Sequence, residues 1–166
     1  EIPIPLQGKV TEGKGWVLRN SKGQYTLTLD GLKAGSLERK TPALEIQGDL
    51  TLVLKKGTES ELLSADAALK KGAGTLTIRG EGSLRLQGET ALEGEWKEET
   101  LNQDEPSALR IEGGKLVFTG EETALYEDTV ELAGGEIQIQ CLNGKGTGIR
   151  AHTLDDRHFS GSLEME

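Results

Sequence analysis

The chain is poor in the residues that usually build a thick globular core or a metal site. There is one cysteine, Cys141, so an intramolecular disulfide and a two-cysteine metal site are both excluded. Flanked by Ile139 and Leu142, it reads as a small buried hydrophobe rather than a reactive thiol. Aromatic residues make up only 4% of the sequence, too few to fill a conventional three-dimensional core. Basic residues are outnumbered, 19 against 28 acidic, and the resulting net charge of −9 repels nucleic acid and anionic lipid. No run of roughly 18 apolar residues is present, so membrane insertion is not expected. The segment Glu1-Ile2-Pro3-Ile4-Pro5 lacks the basic-then-apolar layout of a signal peptide.

What is abundant points elsewhere. There are 23 glycines and 25 leucines, a mixture that a disordered chain would not carry. Short alternating segments recur, among them Tyr25-Thr26-Leu27-Thr28-Leu29, Leu50-Thr51-Leu52-Val53-Leu54, Thr75-Leu76-Thr77-Ile78, Ser83-Leu84-Arg85-Leu86, Leu116-Val117-Phe118 and Ile137-Gln138-Ile139. Their period of two marks half-buried strands. The best helical alternative, Glu59 to Lys71, has good propensity. Its end, however, belongs to a series of five Ala-Leu pairs: Ala43-Leu44, Ala68-Leu69, Ala91-Leu92, Ala108-Leu109 and Ala124-Leu125. Strand and turn are therefore expected over Glu59 to Lys71.

Glycine-containing corners separate the apolar segments at Ile46 to Leu50, Ile78 to Leu84, Ile111 to Leu116 and Leu132 to Ile137. Glycine suits a corner because it reaches positive φ without a steric cost. Repeats of 16–25 residues, built of short strands and tight corners, describe a solenoid. Each coil buries its apolar face only by stacking on the next, strand parallel to strand at about 4.8 Å. The expectation is an all-β, single-stranded parallel β-helix forming one domain over 1–166, with an N-terminal cap at 1–22, coils at 23–151 and a C-terminal cap at 152–166. Pro42 and Pro106 stand where strands would begin, which suits their missing donor. If the Ala-Leu pairs stack in register, Glu45, Lys70, Glu93, Arg110 and Tyr126 form one outward column.

Several phrases carry a resemblance: Pro42-Ala43-Leu44-Glu45-Ile46-Gln47-Gly48-Asp49-Leu50, Gly72-Ala73-Gly74-Thr75-Leu76-Thr77-Ile78-Arg79-Gly80, and Asn143-Gly144-Lys145-Gly146-Thr147-Gly148-Ile149-Arg150-Ala151. Over about residues 23 to 151 they resemble the carbohydrate-binding-domain β-helix proteins of Gram-positive bacterial surfaces. That resemblance implies a right-handed helix of the pectate-lyase type, polysaccharide binding, a secreted or cell-surface location, and calcium in some members. The glycine-lysine run here departs from the family phrase by Thr147 and Gly148.

Candidate site residues follow from chemistry. The acidic stretch Glu93 to Glu105 falls between two repeats and contains Trp96, whose ring could stack on a sugar while Glu95 and Asp104 bond its hydroxyls. Tyr126 is a second stacking candidate. Asp155 and Asp156, in a segment with His152 and His158, are the candidate ligands of a metal cation, with calcium the one the resemblance implies. The Gly144-Lys145-Gly146 run lacks the spacing of a phosphate loop. No serine, histidine or cysteine stands in the context of an activated nucleophile. A non-catalytic carbohydrate-binding or surface-display module is therefore expected, with a polysaccharide lyase or hydrolase, or a purely structural stalk, as the rival readings.

Overall fold

Leucine alternating with threonine or charge has one face for a core and one for water, and the chain uses such segments on three faces of a tube. The protein is described here by a computed structural model covering residues 10–95, 107–157 and 159–165. Among these residues there is no helix, and the strands stack as a parallel β-solenoid of about five turns.

The chain opens with an antiparallel meander of β1 (Val10–Gly13), β2 (Trp16–Ser21) and β3 (Gln24–Leu29). β3 then starts the first coil, which continues through β4 (Lys33–Gly35) and β5 (Leu44–Ile46). The second coil contains β6 (Leu50–Leu54), β7 (Glu59–Leu63) and β8 (Ala67–Lys71). In the third, β9 (Gly74–Gly80) is followed by β10 (Ser83–Glu93), which bends so that one strand serves two faces. The fourth repeats this with β11 (Ser107–Ile111) and β12 (Lys115–Tyr126). The fifth has β13 (Thr129–Leu132), β14 (Gly134–Cys141) and β15 (Thr147–Arg150). Finally β16 (Thr153–Asp155) and β17 (Ser160–Met165) add parallel strands to the first and second faces.

Parallel pairing, in register except for one shift between β10 and β12 at Gly88–Thr90, places like residues in columns, which are the core. On the first face Leu27, Leu52, Ile78, Ile111 and Leu132 lie in register. On the second, Leu62, Leu86, Phe118 and Ile139 do so. The third stacks Leu44, Leu69, Leu92, Leu125 and Ile149. Nearly all are fully buried, and Phe118 is the one aromatic among the fully buried side chains of the described residues. Trp16 on β2 and Tyr25 on β3 are partly buried and pack against the core cluster.

Two details of the repeat come out differently from the sequence reading. Four of the five Ala-Leu pairs stack on the third face, but Ala108-Leu109 lies on the first face, where Leu109 pairs with Leu76 and Val130. An Ala-Leu step fits any half-buried strand, so the dipeptide does not by itself mark a face. Of the four glycine corners, those after Ile78, Ile111 and Leu132 are equivalent, whereas the one after Ile46 leads from the third face back to the first. Gly80 shows why the corner is glycine: its φ is 110° and a Cβ there would run into the Leu54 backbone of the coil beneath. Glu59 to Lys71 is two strands, β7 and β8, which settles the strand-or-helix choice for that segment.

Candidate functional site

The third face ends at a corner where outward and inward columns carry different chemistry. Register puts Glu45, Lys70, Glu93, Tyr126 and Arg150 side by side on its outer surface. Arg150, not Arg110, is the cationic end of this column, a consequence of Ala108-Leu109 lying elsewhere. Successive members sit one strand spacing apart, about 4.8 Å. The signs alternate from Glu45 to Glu93, and the Arg150 guanidinium carbon lies 5.7 Å from the centre of the Tyr126 ring, in range of a cation–π contact.

Beside this column runs an open groove of about 510 Å³ lined by Gln47, Lys70, Lys71, Gly72, Glu93, Gly94, Glu95 and Tyr126. Gly72 and Gly94 carry no side chain to fill it. Two of the residues expected from the sequence, Glu95 and Tyr126, are thereby brought together on one groove. The other two, Trp96 and Asp104, lie outside the described residues, as does most of the acidic stretch that follows Glu95.

Just beneath the groove floor is a buried polar cluster that the sequence reading missed. The Lys71 ammonium lies 2.7 Å from Glu127 Oε2, and both side chains are fully buried. Lys71 Nζ also donates to the carbonyls of Gly74 at 2.8 Å and Gly72 at 3.1 Å and to Ser107 Oγ at 3.0 Å. Glu127 Oε1 accepts from the Ser107 hydroxyl at 2.6 Å and from the Asp128 N–H at 2.7 Å. Oε2 has no hydrogen bond of regular geometry among the described residues and has the ammonium as its counter-charge. The signal was present in the sequence. Lys71 stands two residues beyond Leu69 and Glu127 two beyond Leu125, so period-two counting aims both charges inward.

The remaining candidates fall at the end of the stack. Asp155 is engaged by its neighbour: the Arg157 guanidinium donates to Oδ1 at 3.0 Å and to Oδ2 at 2.9 Å, and the Arg157 N–H donates to Oδ1 at 3.1 Å. Those bonds also raise the guanidinium pKa above its ordinary value. Asp156 is exposed, and no group of three or more His, Cys, Asp or Glu side chains converges among the described residues. Calcium takes six to eight oxygens, so this donor set does not fit it. His152 pairs through Nδ1 with Asp128, while His158 lies outside the described residues. Cys141 is half-buried rather than fully buried, its thiol facing the carbonyls of Asn143, Glu121 and Glu122 at 3.4–3.6 Å.

A family model described as "Carbohydrate-binding domain-containing protein" matches residues 5–166, the entire stack of coils. The chain belongs to that family. No curated protein and no solved structure matches it. Membership makes a glycan the partner to test against the groove, and no helix among the described residues is long and apolar enough to cross a membrane.

Proposed function

We propose that the chain is a non-catalytic polysaccharide-binding module of a secreted or cell-surface bacterial protein, and that the polysaccharide lies in the groove beside Tyr126. The observation that carries this reading is the placement of Tyr126 in an outward column of Glu45, Lys70, Glu93 and Arg150, at the wall of a groove that also presents Gln47 and Glu95. A pyranose offers an apolar ring face for an aromatic and a rim of hydroxyls for charged and amide groups. Stacked coils repeat their side chains at a fixed interval along the axis, which suits a polymer whose own units repeat.

The test is isothermal titration or affinity electrophoresis against a panel of plant and microbial polysaccharides, with calcium and with a chelator, while reducing ends and unsaturated products are assayed. Specific binding without product release supports the proposal. Depolymerisation would replace it with a lyase or hydrolase, and absence of binding in both conditions would leave a structural stalk.

A further inference from the structure

The buried cluster of Lys71, Ser107 and Glu127 occupies the inward column Ile46, Lys71, Gly94, Glu127, Ala151, read by continuing the paired registers one residue past the outward column. Ile46 and Ala151 show that apolar residues fit that column at either end. An ion pair there is not explained by stability, because replacing a buried pair with apolar residues of similar size is often neutral or stabilising.

Its position gives a different reason. At the corners on either side, backbone groups of neighbouring coils bond one another directly: Gly48 N–H donates to the Ala73 carbonyl at 3.1 Å, and His152 N–H to the Asp128 carbonyl at 2.9 Å. The third coil reaches the same corner at Gly94, and the fourth starts only at Ser107, with residues 96–106 between them. Among the described residues, side chains add bonds at this corner. Lys71 supplies the donor to the Gly72 and Gly74 carbonyls, and Glu127 supplies the acceptor for the Asp128 N–H. Ser107, the first residue of β11, joins the two. At the other foot, Gly94 N–H donates to the Tyr126 carbonyl at 2.5 Å, and a Cβ on Gly94 would collide with the Glu127 carboxylate. Lys71 and Glu127 thus meet across a coil that offers no side chain of its own.

We infer that Lys71, Ser107 and Glu127 are positioning residues: their bonds tie the second coil to the fourth across Gly94 and hold this corner in place beside the Tyr126 groove. Polysaccharide affinity then depends on side chains that are themselves fully buried, Lys71 being the one residue of the network that lines the groove. This rests on the groove being the binding site, so the test has one arm that needs no ligand.

The variants are the isosteric pair Lys71→Met with Glu127→Leu, and the milder Ser107→Ala. Hydrogen exchange followed by mass spectrometry should show amides at residues 72–74, 94–95 and 107–109 exchanging about tenfold faster in the double variant, with Leu52, Ile78 and Phe118 as protected as before. Affinity for the polysaccharide that the wild type binds should fall about tenfold in the double variant and less in Ser107→Ala. Unchanged local exchange in both variants overturns the network, whatever the ligand result. Faster local exchange with unchanged affinity overturns its link to the groove. A wild-type protein that binds no polysaccharide removes the functional reading alone, and the exchange pattern still decides the network.

Discussion

Leu92→Ala, in the middle of the third-face column, tests whether the stacked leucines hold the fold. Leu92 is fully buried, in register with Leu69 on one side and Leu125 on the other. Truncation removes three carbons, worth about 2.4 kcal/mol at roughly 0.8 kcal/mol per buried methylene. Both neighbours are pinned by parallel ladders, so the space cannot close and a cavity cost adds, bringing the expected loss to about 3–4 kcal/mol. For a chain of this length that lowers the melting temperature by roughly 6–16 °C. The control is Leu154→Ala, the last residue of the column Leu76, Leu109, Val130, where the side chain is 48% exposed. It should cost about 1 kcal/mol, since half the transfer energy is missing and no closed cavity forms. Urea denaturation of the three proteins in parallel reads both values. Equal losses, or a Leu92→Ala loss below about 1 kcal/mol, would refute a core made of columns.

Gly80→Ala should destabilise by more than about 2 kcal/mol, because φ of 110° and contact with the Leu54 backbone act together. Gly57→Ala, also at positive φ but facing open space, should cost only about 1 kcal/mol, and thermal melts of both check the difference. Arg110 is bonded to Glu131 and Glu112, which raise its pKa above the ordinary value, yet its side chain is 37% exposed. Arg110→Gln should therefore change stability by less than about 1 kcal/mol, and the change should shrink in 1 M salt. Glu127→Leu alone strands the Lys71 charge in the core and should cost about 3–5 kcal/mol, far more than the double replacement with Lys71→Met, as denaturant midpoints would show.

Most of the fold could be read from residue order because a solenoid repeats one simple rule. Leu27, Leu29, Leu76, Leu84 and Leu86 alternate with polar neighbours inside short segments, and glycines mark where segments end. Which face each segment occupies was less legible. Ala108-Leu109 looks like its four counterparts because a half-buried strand needs the same two residues on any face. The candidate groove was half legible. Tyr126 and Glu95 stood out by chemistry, but their meeting on one groove depends on register across coils. Lys71, Ser107 and Glu127 are distant in sequence and converge only once Gly94 is aligned between Lys71 and Glu127. Their inward aim follows from period two, whereas their pairing does not.

The central claim is that Tyr126 marks the polysaccharide site of a stacked β-solenoid, and it is tested most directly by calorimetric titration of wild type and Tyr126→Ala with the same polysaccharide. The account predicts that wild type binds without releasing product, and that Tyr126→Ala binds about tenfold or more weakly, a loss of roughly 1.4 kcal/mol, with its melting temperature nearly unchanged. Equal affinities for the two proteins would contradict it.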